Sequence, residues 1–321
     1  MKWFFVALAA AAAVYLGGDA DLSLRFYADV IGVPEKAFAE KSVWIIGAST
    51  GIGAALAHDL ASKGATIVLS ARRKADLDAV SAECVRRGAK AAHVVVLDVL
   101  DFQAHSTAAA RVSGLLGGMA DVVVLNAGRS QRLLALETPL EDTRALLELN
   151  LLAPISLAKV VAPTMRRGSR LVVTSSLSGV IGTPAASSYS ATKFALHGFF
   201  NALRVELFRQ GVGVTLICPG PVQSDIALHV VGKRDGASDL AASKMPTSRC
   251  ASLMTAAIHF SLGQIWLSKQ PELLFTALAQ YAPRVFENVI NVAGQNRLDA
   301  LKAGTDIFSS SNYVFGGAAK K

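Results

Sequence analysis

The chain has 321 residues, of which 52% are hydrophobic and 17% charged, and a formal net charge of +8. That composition excludes a globally disordered chain and fits one large α/β domain with additions. Lys and Arg are scattered, in short pairs such as Arg86-Arg87 and Arg166-Arg167. With no basic run interleaved with aromatics, the charge argues against a nucleic-acid partner and suits a phosphorylated cofactor or an anionic membrane surface. Cys84, Cys218 and Cys250 match neither a metal spacing nor a disulfide framework, so no metal is expected and each reads as a small buried apolar residue.

Residues 1–18 open with Met1-Lys2, then Trp3-Phe4-Phe5 and an alanine-rich apolar run. As a helix of about 14 apolar residues it spans roughly 21 Å, short of a hydrocarbon core of about 30 Å. Three readings compete: a cleaved secretory signal with Gly17-Gly18 near the cut, an uncleaved signal anchor, and a buried helix. Residues 19–40 read as a connector in which Pro34 breaks any helix.

Ser42-Val43-Trp44-Ile45-Ile46 reads as a buried strand, followed by Gly47-Ala48-Ser49-Thr50-Gly51-Ile52-Gly53 and a helix over 54–62. Strand, glycine turn and helix in that order make a dinucleotide site, because glycines let backbone approach a pyrophosphate and the helix amino terminus offers it free N–H groups. The second strand, 66–70, ends at Ala71-Arg72-Arg73. An acidic residue there would hold a ribose 2′-hydroxyl, whereas guanidinium groups suit a 2′-phosphate, so NADP(H) is expected over NAD. The alternative is that Arg72 and Arg73 only begin a solvated helix. A strand over 92–97 delivers Asp98 to an adenine amino group, a helix over 101–116 follows, and strand 121–125 runs into Asn126-Ala127-Gly128, where small residues admit a ribose or nicotinamide. Strands alternating with helices imply an α/β fold with a doubly wound parallel sheet, ligands lying at the strands' carboxyl ends.

Residues 140–165 read as a long helix kinked near Pro154, with Asn150 inside it either capping the kink or anchoring a relay water. Leu171-Val172-Val173 is a further strand, and Ser176 follows it. Tyr189 and Lys193 are four apart and share a helix face. An ammonium beside the phenol is expected to lower the tyrosine pKa and make it a general acid or base. Alone, Y-x-x-x-K is a pattern that many helices carry by chance. His197, one turn on, reads as structural. Strand 212–217 leads into Cys218-Pro219-Gly220-Pro221-Val222-Gln223-Ser224, a stiff turn whose backbone can hold a carboxamide.

Taken together, G-A-S-T-G-I-G (47–53), L-N-A-G (125–128), Asn150, Ser176, Y-S-A-T-K (189–193) and P-G-P-V-Q-S (219–224) resemble the short-chain dehydrogenase/reductase family. The resemblance implies a Rossmann fold and a carbonyl reductase or alcohol dehydrogenase. Tyr189 would be the proton donor, Ser176 would orient the carbonyl, Lys193 would bind the nicotinamide ribose, and Asn150 would hold the relay water. Gly47, Ser49, Thr50, Gly51, Ile52 and Gly53 would carry the phosphates. Arg72 and Arg73 would meet the 2′-phosphate, Asp98 the adenine, and Asn126, Ala127 and Gly128 the ribose. Pro219, Gly220, Val222 and Ser224 would border the carboxamide. The family's N-N-A-G is departed from at Leu125 alone. A homodimer rests on the resemblance only.

The domain is expected over 41–270, with a mobile lid over about 221–246, a helix from Thr247 to Phe260, and a helical extension over 271–315 before a short tail, 316–321. Apolar clusters such as Leu273-Leu274-Phe275 and Val289-Ile290 read either as packing or as a membrane-facing surface where a lipophilic carbonyl substrate (steroid, retinoid, lipid ketone or xenobiotic) enters. With the apolar amino terminus this implies membrane association at the endoplasmic reticulum, or its lumen after signal cleavage. The rivals are a non-catalytic nucleotide-sensing protein of the same fold and an NAD-dependent alcohol dehydrogenase.

Overall fold

The computed structural model describes residues 15–224, 230–232 and 244–302. The apolar segment 1–14, the lid residues 225–229 and 233–243, and residues 303–321 with the tail lie outside the described residues. Seven parallel strands form one sheet in the order β3-β2-β1-β4-β5-β6-β7. They are β1 (Ser42–Ile46), β2 (Thr66–Ser70), β3 (Ala91–Val94), β4 (Val122–Leu125), β5 (Arg170–Thr174), β6 (Gly213–Pro219) and β7 (Gln264–Leu267). A short α1 (Leu22–Arg25) precedes the sheet, and α2 (Gly51–Ser62), α3 (Lys74–Arg86), α4 (Ala104–Leu116), α5 (Leu140–Leu147), α6 (Ala153–Val161), α7 (Ser187–Glu206) and α8 (Thr247–His259) flank it. Two last helices, α9 (Glu272–Tyr281) and α10 (Pro283–Lys302), follow β7. This is the doubly wound Rossmann architecture that the alternation of elements implied.

Both faces of the sheet are covered, so the strands read as unbroken apolar runs rather than as alternating ones. Val43 and Ile45 pack with Leu56 and Leu60 of α2 and Leu253 of α8 on one face. Trp44 and Ile46 pack with Val112 of α4, Leu157 of α6 and Phe200 of α7 on the other. Strand order reverses between β1 and β4, and the crevice left there at the carboxyl ends is where such sheets take ligands.

Several boundaries differ from the sequence reading. Strand β3 stops at Val94, although Val95 N–H still donates to the Leu69 carbonyl and Leu97 N–H to that of Ala71. Helix α4 begins at Ala104 rather than 101, because Asp98 through Asp101 close a turn in which the Asp98 carboxylate accepts from Leu100 N–H. The long helix does not simply bend at Pro154. Its ladder widens into a π turn, Glu148–Leu152, and restarts as α6. Pro154 has no N–H to give the carbonyl four residues back, which is that of Asn150, and this is a cause of widening. The span Leu140–Thr164 is long and apolar enough to cross a membrane by composition, but its Leu146, Ala153, Leu157 and Val161 belong to the domain's buried core. Helix α8 ends one residue short of Phe260, and the hydroxyl of its first residue, Thr247, donates to the Gln223 carbonyl instead of capping the helix.

Residues 19–40 are more than a connector. Ala20 bridges Leu267 antiparallel, and Asp21 N–H and Ser268 N–H bond across that join, so β7 is not a bare sheet edge. After α1 the backbone runs on as a π turn, Phe26–Ile31, before Pro34. Leu24 is 0% exposed within the core, and Arg249 of α8 forks onto Asp19 and Asp29. The guanidinium bond holds the Asp19 carboxyl below its usual range. Truncating Leu24→Ala is expected to lower unfolding stability by about 2–4 kcal/mol, the cost of a buried leucine cavity. Denaturant titration checks this, and an unchanged midpoint would mean that this segment does not fold with the domain.

Candidate active site

The glycine turn after β1 is enforced by space. Gly47 has φ 87°, and a Cβ there would lie 2.6 Å from the Ala127 amide nitrogen, so no other residue fits the approach of β1's end to β4's. Thr50 stands at the N-cap of α2 without a side-chain capping bond, and no acidic residue lies in the first turn. The amino terminus of α2 therefore keeps its positive end for an anion. Gly47, Ser49, Thr50, Gly51 and Ile52 all line a cavity of about 690 Å3. Gly53 does not line it. A Cβ at Gly53 would collide with the Gly47 carbonyl, so a glycine there lets α2 pack on the turn. Asn126 Nδ2 donates to that same Gly47 carbonyl at 2.9 Å, bracing the turn while it borders the cavity with Ala127 and Gly128.

At the cavity's far edge the two arginines after β2 part company. Arg73 is ion-paired with Asp76 in the first turn of α3. Arg72 is exposed, borders the cavity, and makes no hydrogen bond or ion pair among the described residues. Asp98 borders the same edge and keeps one carboxylate oxygen besides that bonded to Leu100 N–H.

Beyond the switch point, β5 ends at Thr174, and Ser176 opens a tight turn in which its Oγ accepts from Ser178 N–H at 3.1 Å and donates to the Pro219 carbonyl at 3.2 Å. Helix α7 points Tyr189 and Lys193 into the same space. Lys193 Nζ lies 5.6 Å from the centre of the Tyr189 ring and donates to the Thr174 carbonyl at 2.9 Å. Lys193 is 4% exposed, and burial pushes its pKa down to about 8. The Tyr189 phenol moves the other way from the expectation: burial raises it above its usual value, and a hydrogen bond with Ser176 only partly offsets that. The largest cause is desolvation of the buried phenolate, which disfavours the charged form. Pro219, Gly220, Val222 and Ser224 complete this wall.

Asn150, 1% exposed, does not border the cavity. Its amide pairs with the Arg129 backbone in both directions, Oδ1 accepting from N–H at 2.9 Å and Nδ2 donating to the carbonyl at 2.8 Å. The side chain is thus a brace behind Gly128, and the π turn is what carries it there. His197 is structural, as read: its Nε2 meets Ser175 Oγ at 2.9 Å, and burial followed by the Lys193 charge pushes its pKa down to about 4.

Some site residues escaped the sequence reading. Thr174 offers only a carbonyl, which no side-chain pattern signals. Gln131, Arg132, Lys244 and Arg297 are buried polar groups on the cavity wall, contributed by three separate stretches with no shared motif. The carboxyl-terminal helices roof this end. Phe275 of α9 and Ala293 of α10 pack on Ile181, and Gly294 comes close to Pro184, so α9 and α10 are part of the site rather than an appendage.

A family model described as short chain dehydrogenase matches residues 41–234. The chain belongs to the short-chain dehydrogenase family. Over 311 residues this short-chain dehydrogenase is 40% identical to "Dehydrogenase/reductase SDR family member 7" of Homo sapiens, covering 94% of this chain and 91% of that protein. It is 36% identical over 234 residues to "Hydroxysteroid 11-beta-dehydrogenase 1-like protein" of Xenopus tropicalis, covering 72% and 77% of the two chains. Among solved structures, a dehydrogenase/reductase from Sinorhizobium meliloti 1021 superposes with TM-score 0.63 at 26% identity, covering 73% of this chain and 95% of that one. A short chain dehydrogenase from Burkholderia cenocepacia J2315, solved in complex with NADP, does so with TM-score 0.63 at 26% identity, covering 72% and 96%. The family is one of oxidoreductases.

The depressed His197 pKa has a consequence for this short-chain dehydrogenase's stability. Between pH 6.5 and 4 the unfolded chain holds a proton at His197 that the folded chain refuses, so stability falls as pH drops through that window. The full penalty is at most about 3 kcal/mol. In the variant His197→Gln, denaturant midpoints measured from pH 7 to pH 4 are expected to decline less steeply than in the wild type.

Proposed function

We propose that this chain is an NADP(H)-dependent carbonyl reductase and alcohol dehydrogenase, with Tyr189, Ser176, Lys193 and Asn150 as its working residues. The observation that carries the reading is one cavity bordered at one end by the Gly47 turn and at the other by Tyr189, Lys193 and Ser176. The residues fit a phosphorylated dinucleotide: a glycine turn with no room for a Cβ, a helix amino terminus without a competing cap, and Arg72 standing where an NAD enzyme has a carboxylate. Ser49, Thr50, Gly51 and Ile52 would hold the pyrophosphate, Arg72 the 2′-phosphate, Asp98 the adenine, and Asn126 through Gly128 the ribose. Pro219, Gly220, Val222 and Ser224 would flank the nicotinamide. Arg73, paired with Asp76, would add field rather than a direct fork. That a relative of the same fold is solved in complex with NADP supports the choice.

Reduction of a carbonyl needs a hydride at carbon and a proton at oxygen. The nicotinamide supplies the hydride when bound. Tyr189 supplies the proton: a raised pKa keeps the phenol protonated at neutral pH, the form that can donate. Ser176 Oγ, on the cavity wall beside Tyr189 and bonded to the Pro219 carbonyl, would turn to the substrate oxygen. The Lys193 ammonium stabilises the phenolate left behind, and its grip on the Thr174 carbonyl keeps it in reach. Asn150 positions the Gly128–Arg129 backbone from behind. Alcohol oxidation runs these proton steps in reverse.

Ile181, Pro184, Val230, Phe275 and Ile290 line the end beyond Tyr189, which favours a lipophilic substrate. Leu16, Leu22, Phe26, Val30 and Ile31 are exposed on the segment leading from residues 1–14, which supports a membrane-associated protein of the endoplasmic reticulum. Exposed Leu140 on α5, Phe194 and Val205 on α7, and Phe208 just after it support a homodimer through that face.

Substituting Tyr189→Phe removes the proton and should cut kcat by about 10²–10⁴-fold on every carbonyl substrate, measured by NADPH consumption over a panel of ketones. Retained turnover would refute the mechanism. Arg72→Ala should weaken NADPH binding by roughly 10–100-fold, the worth of a charge-assisted bond, while leaving NADH binding unchanged in fluorescence titrations. Equal losses for both cofactors would refute the NADP assignment.

A further inference from the structure

Helix α7 begins without a cap of its own. Its N-cap position holds Ala186, which has no side-chain acceptor, and Ala185 before it sits in the left-handed region at φ 60°. The first bond back along the chain runs from Ser190 N–H to the Ala186 carbonyl, so the N–H of Tyr189 has no partner within its own helix. That N–H is satisfied from elsewhere: it donates to Gln131 Oε1 at 3.1 Å. Gln131 is 2% exposed, and its other end is fixed, with Nε2 donating to Thr138 Oγ1 at 2.7 Å while that hydroxyl donates to the Leu134 carbonyl at 2.8 Å.

The backbone around Gln131 is stapled on two sides. Gln131 bridges Val231 in parallel, with Val231 N–H donating to the Ser130 carbonyl at 3.0 Å and Arg132 N–H to the Val231 carbonyl at 2.9 Å. Leu133 N–H donates to the Ala185 carbonyl at 3.0 Å. One short stretch thus joins the described part of the lid to the residues just before the catalytic helix, and a single side chain reaches on to Tyr189.

We propose that Gln131 is a positioning residue for Tyr189, acting as a borrowed cap that fixes the first turn of α7 and thereby the phenol relative to Ser176 and Lys193. The inference rests on Tyr189 being the proton donor. Lys193 is one turn deeper and held independently by the Thr174 carbonyl, so loosening the first turn moves the phenol and leaves the ammonium in place. The loss falls on the proton step and not on cofactor binding.

The test uses the full-length enzyme with NADPH and a ketone that it turns over. Gln131→Met keeps length and removes both bonds, and Gln131→Glu keeps the acceptor. Thr138→Val removes the group that orients the amide. Gln131→Met should lower kcat by about 10–100-fold, the scale of a small misplacement of a catalytic group. It should leave KM for NADPH within about twofold, since the cofactor's binding residues are untouched, and displace the pH profile of kcat because the phenol's surroundings change. Gln131→Glu should restore most of kcat above the pH at which its carboxyl ionises. Thr138→Val should show a smaller loss that vanishes on the Gln131→Met background. A Gln131→Met enzyme with wild-type kcat and pH profile overturns the proposal, as does a Gln131→Glu enzyme as impaired as Gln131→Met. If Gln131→Met does not fold, Gln131→Glu and Thr138→Val decide: wild-type kcat in Thr138→Val overturns it. Activity surviving in Tyr189→Phe would instead remove the reading beneath it.

Discussion

The ammonium of Lys193 sits out of water, over the ring of Tyr189, with the Thr174 carbonyl as its protein acceptor. A buried cation of this kind is tolerable only where an oxygen meets it at close range. The acceptor here is the last carbonyl of β5, at the strand's carboxyl end. The chemistry is therefore tied to the sheet's geometry. The end of β5, the start of the Ser176 turn and the inner face of α7 have to meet at one point, and the apolar layers on either side of the sheet hold them there.

The same economy recurs around the crevice. Asn126 braces the Gly47 turn, Asn150 braces the backbone after Gly128, Ser176 bonds to the Pro219 carbonyl, and Gln131 caps α7. Each is a side chain from one segment satisfying a backbone group of another, distant in sequence. Such groups, if left without partners when buried, cost about 1–3 kcal/mol each. The braces thus stabilise the fold and also fix the spacing of the residues that border the cavity. Glycines serve the complementary purpose. Gly47, Gly53 and Gly179 mark places where two backbones or a backbone and a buried side chain approach too closely for a Cβ.

The roof over the cavity's end beyond Tyr189 is assembled from parts distant in sequence. Helices α9 and α10 close on the loop holding Ile181 and Pro184, while residues 19–31 cover the edge of β7 and meet Arg249 of α8. Tyr15 Oη donates to the Leu273 carbonyl, so the chain emerging from the apolar amino terminus is bonded to the helix that supplies Phe275 to the cavity. Tyr15 and the cavity wall are in this way mechanically joined.

The order of apolar strands, glycine turns and amphipathic helices was enough to give the doubly wound sheet and the spread of Gly47, Arg72, Asn126, Ser176, Tyr189 and Lys193 along its carboxyl edge, because period and turn chemistry are local properties. What escaped the sequence were relations between stretches far apart. The π turn at 148–152 depends on a missing proline N–H and on a backbone partner at Arg129. The opposite fates of Arg72 and Arg73 depend on where Asp76 falls in the next helix. The docking of residues 19–31, the roof of α9 and α10, and the place of Gln131 behind Tyr189 have no sequence period at all. Even the direction of the phenol's pKa was misjudged from the four-residue spacing to Lys193. Spacing along a helix fixes which groups are near, whereas the surrounding burial decides how much their charges cost, and burial exists only once the chain has folded.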